Sequence, residues 1–322
     1  MYFNEKNNFF HGIMFHHFHD EGIHKKGQGS INKDEFRKII NFIGRDNILD
    51  AAVFFEKLKN NKLKENEVCI TFDDAMKCQL DVAIPVLEDF KIKSFFFVYS
   101  SMFEGKPNYL EIYRYFRKNC FNNIDEFYKN FYQVLDKNLE AFFENKQKKI
   151  DYTKVKFPFY SVEDIKFRLV RDYFLSTKEY DEVMFKVMKN KKFKYDDHLE
   201  KIFFQKRDLK VLDELGHIIG LHSHSHPTLL ENLNYDEQKS EYKKCITSIS
   251  SILNKPLNDI KCMSHPCGSY GRETLEILKE LGIELGFKQT MLIEKEKGMK
   301  KINNSLLEIA REDHSNILKK IN

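Results

Sequence analysis

The chain has 322 residues, of which 53 are Lys or Arg and 49 are Asp or Glu, so its formal net charge is +4. Hydrophobic residues make up 42% of the sequence, with 30 Phe and 15 Tyr but 13 Gly and 6 Pro. This composition excludes a disordered or collagen-like chain, and a chain of this length can bury one large core or two modest ones. The nearly balanced charge gives no indication of a nucleic-acid partner.

The apolar runs and the cysteines of the sequence indicate the cellular compartment of the protein. No apolar run approaches the roughly 20 residues that a membrane span needs, and residues 1–10 lack the basic and apolar regions of a signal peptide. The six Cys form no CxxC pair and are typical of reduced thiols. We therefore expect a cytoplasmic protein without a transmembrane segment.

The first hundred residues alternate between two hydrophobic periods. Period-2 or continuous apolar runs indicate strands, and apolar residues three and four apart indicate helices. The predicted elements are strands at 11–17, 67–72 and 94–99 and helices at 32–42, with Asn32 as a possible cap, and 79–90. Strand, helix and strand in this order form the unit of a parallel sheet.

Residues 105–205 have a different character. They are rich in Lys, Phe, Tyr and Asn, are mostly helical in period, and carry no cluster typical of catalysis. We expect a helical insertion whose Phe-rich face packs internally, with a partner-binding surface as the alternative.

Strands and helices alternate again after the insertion. The predicted elements are strands at 217–221, 260–263, 283–287 and 306–310, helices at 205–215, 235–253 and 272–281, and a terminal helix. Alternation over this length fits either an α/β barrel or an open doubly wound sheet.

Histidine is concentrated at one predicted strand end. Four of the 12 His lie between 217 and 226. His222 and His226 are four residues apart, and Pro227 disfavours the helical conformation for His226. We expect a curved loop that brings these two imidazoles to one ion, with His224 directed elsewhere.

Two adjacent carboxylates, Asp73 and Asp74, follow the buried strand at 67–72. Their mutual repulsion would be relieved if a metal bound one of them and left the other free as a base. The alternative is a pair of caps for the next helix. Two His and one carboxylate leave positions open on a divalent ion, as in catalytic sites; Zn²⁺ is the first choice, and Co²⁺, Ni²⁺ or Mn²⁺ are also compatible.

A third segment, 264–270, also lies between a predicted strand and a predicted helix. Gly268 permits close approach of the backbone, so N–H groups here could stabilise an oxyanion. An ordinary turn between a strand and a helix is the alternative.

Together these segments resemble the polysaccharide deacetylase (NodB-homology) family of carbohydrate esterases. Residues 71–74 resemble its TFDD motif and 222–227 its H-[ST]-x-x-H-P motif. Residues 264–270 are similar to its P-Y-G-S-Y segment, with Cys267 in place of the usual Tyr. Met14 to His17 resembles the M-Y-H lead-in of some members, and Ala310-Arg311 the end of their final strand. The resemblance covers about residues 11–103 and 205–313.

This resemblance implies a distorted (β/α) barrel, with 1–322 as a single deacetylase domain and 105–205 as a large helical insertion within it. It implies metal-dependent removal of an acetyl group, with N-acetyl as the first choice, from a sugar or glycan precursor in surface polysaccharide biosynthesis. By position, Asp73 is the base, the backbone N–H of Cys267 helps to hold the oxyanion, and the metal ligands are Asp74, His222 and His226.

Two roles implied by the resemblance are less direct. The histidine of the M-Y-H lead-in, His16, would be the general acid, with His17 and His314 as the alternatives. The family has an Arg where this chain has Ser264, and we expect Arg311 to replace it and orient Asp73.

Two other functions fit the same residues. A deformylase or an O-acetyl esterase would use the same site, and a non-catalytic barrel could serve as a binding partner in glycan assembly. A stoichiometric metal ion would favour an enzyme.

Overall fold

The computed structural model describes residues 11–27, 29–64, 66–156, 161–289 and 305–321. These fall into two compact units: the first comprises the chain up to Asn108 and from Glu200 onward, and the second Tyr109–Leu199. The expectation about a signal peptide concerns residues 1–10, which lie outside the described residues.

Within the described residues, the first unit contains seven strands, and all of the pairings between them are parallel. They are β1 (His11–Phe15), β2 (Val68–Phe72), β3 (Phe95–Val98), β4 (Ile218–Leu221), β5 (Cys262–Ser264), β6 (Leu285–Phe287) and β7 (Arg311–Asp313). Their order is β6-β5-β4-β3-β2-β1-β7. Parallel strands put their carboxyl ends at one edge, where the predicted site residues lie.

The two ends of this sheet are joined by the segment that leads into β7. Ile309 pairs with Phe287 of β6, and Arg311 pairs with Gly12 of β1. Gly286 allows the crossing, because a Cβ atom there would lie 2.5 Å from the carbonyl oxygen of Leu307. The predicted distorted (β/α) barrel is therefore confirmed, and an open doubly wound sheet is excluded.

The predicted strand at 306–310 was wrong in its position. Ile309 contributes a single bridge to β6, whereas the ladder with β1 begins at Arg311. The physical reason is that residues 305–310 cross from β6 at one edge of the sheet to β1 at the other. They therefore cannot form a continuous ladder with either strand. Arg311 thus begins a strand instead of following one.

Helices cover the strands of the first unit. Those before the second unit are α1 (Lys33–Ile43), α2 (Ala51–Lys59) and α3 (Ile84–Asp89), the last preceded by a π-helical turn at Gln79–Ala83. The side chain of Asn32 caps α1 through a capping box with Glu35, as the sequence predicts. Helix α2 has no counterpart among the predicted elements, although its buried Ala51, Phe54, Phe55 and Leu58 follow a helical period.

The second unit is helical. Its helices are α4 (Tyr109–Asn119), α5 (Ile124–Leu135), α6 (Glu140–Lys156), α7 (Val162–Leu169) and α8 (Thr177–Asn190). Aromatic rings fill its interior, with Phe127, Phe131 and Phe167 in mutual contact at centroid distances of 5.0–6.0 Å. The second unit covers fewer residues than the predicted insertion at 105–205, because residues 105–108 and 200–205 belong to the first unit.

The chain then returns to the barrel. The remaining helices are α9 (Leu199–Ile202), α10 (Lys206–Glu214), α11 (Tyr235–Leu253), α12 (Arg272–Glu280) and α13 (His314–Ile321). Within the described residues, no helix combines the length and the apolar character needed to cross a bilayer.

Candidate active site and metal centre

The predicted metal ligands come together at the carboxyl edge of the barrel. Asp74 follows β2, and His222 and His226 follow β4. One ligand atom from each lies within 4.8 Å of the others. Oδ1 of Asp74 is 3.3 Å from Nε2 of His222 and 3.2 Å from Nε2 of His226. This oxygen is buried and accepts no hydrogen bond within the described residues.

The orientation of His222 shows what this cluster can hold. Its Nδ1 lies 2.8 Å from the carbonyl oxygen of Ser264, which can only accept, so Nδ1 carries the hydrogen. In the neutral ring the lone pair of Nε2 then faces the carboxylate of Asp74. Two electron-rich atoms at this distance repel each other unless a cation lies between them. A backbone carbonyl that fixes the second nitrogen is typical of metal-bound His, so these residues fit a divalent ion.

The loops that carry the ligands have unusual backbone conformations. Positive φ angles occur at Asp74 (71°), Ala75 (51°), Ser223 (65°) and His226 (58°). For residues other than glycine such angles cost of order 1–3 kcal/mol each and persist where surrounding contacts impose them. The loop after β4 is curved and non-helical, as Pro227 predicts.

The predicted contact between Arg311 and Asp73 is present. The guanidinium donates from Nη1 to Oδ1 at 2.8 Å and from Nη2 to Oδ2 at 2.7 Å. Both side chains are buried, and Ser264 Oγ adds a contact of 3.3 Å to Oδ2. Burial raises the pKa of Asp73, but the charge and the two hydrogen bonds of the Arg311 guanidinium outweigh it and lower this pKa below its usual value. Asp73 is therefore an oriented carboxylate at neutral pH.

Asp74 is also kept ionised. Burial raises its pKa, but when the rings of His222 and His226 each carry a second proton, their N–H groups and charge hold this pKa well below its usual range. The two neighbouring carboxylates thus have different partners: a guanidinium for Asp73 and two imidazoles for Asp74. The first arrangement is suited to a base and the second to a metal ligand.

Of the three candidates for the general acid, His16 has its ring beside both Asp73 and Asp74. Its Nε2 is 3.7 Å from Oδ2 of Asp73 and 3.9 Å from Oδ2 of Asp74, and its side chain is partly exposed. His17 is buried beside it, with the ring centroids 6.3 Å apart. His314 is buried with its two ring nitrogens against the carbonyl oxygens of Met14 and Gly29, at 3.2 and 3.0 Å. His314 therefore does not face the acid pair.

The loop at 264–270 forms a tight turn. Pro266 accepts a hydrogen bond from the N–H of Ser269, and φ is 52° at Cys267 and 68° at Gly268. Positive φ at both central residues is the pattern of a type I′ turn. Cys267 keeps an exposed surface, and partial desolvation of its thiol, together with the charges of Asp74 and Asp73, raises its pKa to about 12.

The buried side chain of Gln79, which was not among the predicted site residues, connects the backbones of Asp73 and His16. Nε2 of Gln79 donates to the carbonyl oxygens of His16, at 2.9 Å, and of Asp73, at 2.6 Å. Gln79 is fully buried and begins the π-helical turn, a conformation often found at functional sites. The only sequence signal was an amide at the start of a predicted helix.

Comparisons with known proteins identify the family of the chain. The family model described as "Polysaccharide deacetylase" matches residues 120–286, just over half of the chain. The chain belongs to the polysaccharide deacetylase family. The matched range contains the loop with His222 and His226 but not Asp73 and Asp74, which the fold brings to it. A search of curated proteins found no significant match.

Solved structures share the fold at low sequence identity. A deacetylase from Streptococcus pyogenes, PplD, in complex with acetate has a TM-score of 0.56 and 17% identity, with 97% of each chain covered. IcaB from Ammonifex degensii has a TM-score of 0.54 and 12% identity over 98% of this chain and 97% of its own. A de-N-acetylase from Aggregatibacter actinomycetemcomitans has a TM-score of 0.54 and 12% identity, over 97% of this chain and 99% of its own.

Proposed function

We propose that this chain is a divalent-metal-dependent hydrolase that removes an acetyl group, with N-acetyl as the first choice, from a sugar or glycan precursor in surface polysaccharide biosynthesis. Family membership supports a hydrolase acting on an acetylated glycan. One observation carries the metal-dependent chemistry: the Asp73–Arg311 pair lies directly beside the Asp74, His222 and His226 cluster.

Each residue of the site has a separate role in the first half of the reaction. A divalent cation held by the cluster, with Zn²⁺ as the first choice, would polarise the acetyl carbonyl and acidify a water molecule. Asp73 accepts a proton from the attacking water, while Arg311 keeps both of its carboxylate oxygens in place. The oxygen of that water adds to the acetyl carbon, and the backbone N–H of Cys267 donates to the resulting oxyanion.

The second half of the reaction needs an acid. The C–N bond breaks as Nε2 of His16 gives a proton to the leaving nitrogen, and acetate and a free amine are released. Gln79 fixes the backbones of both His16 and Asp73, so that the acid and the base keep their separation. This assignment of roles makes His16 a partner of the leaving group and Asp73 a partner of the water.

Acetate release from a panel of substrates tests the reaction. The panel contains nucleotide-linked, lipid-linked and free N-acetyl sugars, with matched N-formyl and O-acetyl compounds. The protein is stripped with a chelator and reloaded with Zn²⁺, Co²⁺, Ni²⁺ or Mn²⁺. We expect acetate from an N-acetyl sugar only after reloading. Hydrolysis confined to the formyl or ester compounds would replace the proposed substrate class.

Elemental analysis tests the ligands separately. The dialysed protein is expected to hold about one ion per chain, and His222→Ala, His226→Ala and Asp74→Ala to hold less and to lose activity together. His198→Ala, in the second unit, is the matched control and should keep its metal. Full metal content in the three variants would show that the ligand assignment is wrong.

The organisation of the chain and its compartment are also proposals. We propose that residues 109–199 are an insertion within a single deacetylase domain and that the protein is cytoplasmic. The six cysteines all lie within the described residues and form no disulfide bond there, which is typical of a reducing compartment. Fractionation of cells that produce the protein would test the compartment.

A further inference from the structure

The two histidines of the proposed metal site are held in different ways. His222 follows β4 directly, its N–H donates to the carbonyl oxygen of Val98, and its ring is fixed by Ser264. The sheet therefore positions it. His226 lies four residues further along a loop with positive φ at both Ser223 and His226. Other contacts must hold this loop in its conformation.

The residue between the two ligands is anchored on the side of β3. The carbonyl oxygen of His224 accepts hydrogen bonds from the N–H groups of Ser100, at 3.1 Å, and Ser101, at 2.8 Å. The hydroxyl of Ser100 is also 2.8 Å from Nδ1 of His224. His224 is thus directed away from the metal cluster, as the sequence predicts, and ties the loop to the end of β3.

A carboxylate from α11 anchors the same residues from another side. Oε2 of Glu241 accepts hydrogen bonds from the N–H groups of His224, at 2.9 Å, and Ser225, at 2.8 Å. Oε1 accepts one from the hydroxyl of Ser225, at 2.9 Å. Hydrogen bonds to an ionised acceptor are about twice as strong as neutral ones. Three of them from one side chain can offset the strain of the positive φ angles.

We propose that Glu241 is a positioning residue that sets the affinity of the site for its metal ion by holding His226 beside Asp74. The inference rests on the proposed function, because it requires the Asp74, His222 and His226 cluster to bind an ion. Glu241 itself is not a ligand, since its carboxylate is occupied by the loop. His224 supports the same conformation through Ser100, with one side-chain hydrogen bond where Glu241 has three.

Zinc affinity, measured by competition with a chromogenic chelator, tests this role without an activity assay. In Glu241→Ala we expect the Kd for Zn²⁺ to rise by about 10–100-fold, the scale found for residues that orient metal ligands. Glu241→Gln should stay within about threefold of wild type, because its amide oxygen can keep both backbone hydrogen bonds and its NH₂ can donate to Ser225. His224→Ala should fall between these two variants. Lys244→Ala, exposed on the same helix, is the matched control.

The absorption spectrum of the Co²⁺-loaded protein gives a second measurement. The ligand-field bands of Glu241→Ala should differ from those of wild type, whereas those of Glu241→Gln should coincide with them, because the carboxamide restores the loop. Circular dichroism checks that each variant is folded.

The outcomes separate the inference from the function on which it rests. If the wild-type protein binds no stoichiometric Zn²⁺, the proposed function fails. If wild type binds Zn²⁺ and Glu241→Ala binds it with unchanged affinity, the role of Glu241 is wrong while the metal site stands. Equal losses in the Gln and Ala variants would also overturn the inference, since they would indicate a need for charge near the ion instead of loop geometry.

Discussion

The two compact units bury different kinds of side chain. In the described part of the chain, every buried charged residue belongs to the first unit, which contains the barrel. The same is true of every buried polar residue other than tyrosine. The buried side chains of the 109–199 unit are aliphatic residues, methionines and aromatic residues, and they include the fully buried Phe116, Phe127 and Phe131. Burying a polar group is costly unless it is hydrogen-bonded. The barrel meets this cost through networks such as that of Asp73, Arg311 and Ser264, and those networks mark the candidate active site.

Substitution of the proposed base tests the barrel half of this comparison and should have the largest effect. Asp73→Asn keeps the shape of the side chain but removes the proton acceptor. We expect kcat to fall by about 10²–10⁴-fold with metal content unchanged. Asp34→Asn, at an exposed acid of α1, is the matched control. An Asp73→Asn variant with normal turnover would remove Asp73 from the mechanism.

A core substitution in the helical unit tests the other half. Phe131→Ala removes a fully buried ring, and we expect the free energy of unfolding of this unit to fall by about 3–5 kcal/mol. Zinc content per folded chain should not change. Urea unfolding and elemental analysis measure the two quantities. Tyr152→Ala, at a side chain that is 65% exposed, should cost less than about 0.5 kcal/mol. Loss of zinc in folded Phe131→Ala would show that the core of the helical unit also supports the metal site, which would contradict the separation drawn between the two units.

The buried histidines of the barrel predict acid sensitivity. His217 is buried, with its Nδ1 accepting from the N–H of Ser94, and burial together with Lys93 lowers its pKa to about 4. In the unfolded chain this pKa is about 6.5. Between these two values the unfolded state binds more protons, so the free energy of unfolding should decrease as pH falls, by roughly 3 kcal/mol in total.

Urea unfolding of wild type and His217→Gln at several pH values between 7 and 4 measures this contribution. The variant should show a shallower pH dependence, and the slope that remains would include His265, whose pKa burial lowers to about 3. Lys244→Gln, at an exposed side chain of α11 that does not titrate in this range, is the control and should leave the slope unchanged. Identical slopes for wild type and His217→Gln would contradict the assignment.

The smallest expected effect concerns the partner of the base. Arg311→Lys keeps the charge but cannot make two parallel hydrogen bonds to Asp73. Losing one charge-assisted hydrogen bond should lower kcat by about tenfold. Steady-state rates, with thermal unfolding as a check on stability, measure the change. Arg272→Lys, at a side chain that is 92% exposed, serves as the control. Unchanged kcat would mean that a point charge is sufficient to hold Asp73.

The sequence by itself determined the local elements and the segments that carry the chemistry. The capped helix α1, the helix at 235–253 and the strands that precede Asp73 and His222 were all predicted. These features depend on hydrophobic period, capping residues and Pro227, which are interactions between neighbours in the chain. The resemblance to the deacetylase family rested on two short segments for the same reason.

Only the tertiary structure decided how the site is held together. Arg311 reaches Asp73 across 238 positions of sequence, and Ser264 reaches it across 191. Gln79 and Glu241 were missed because each contacts residues on another element, and no periodicity encodes such contacts. The strand at 311–313 was displaced from its predicted position because barrel closure, a contact between the two edges of the sheet, sets where its ladder begins. Local pattern therefore identified the reactive groups, while long-range hydrogen bonds fixed their orientation.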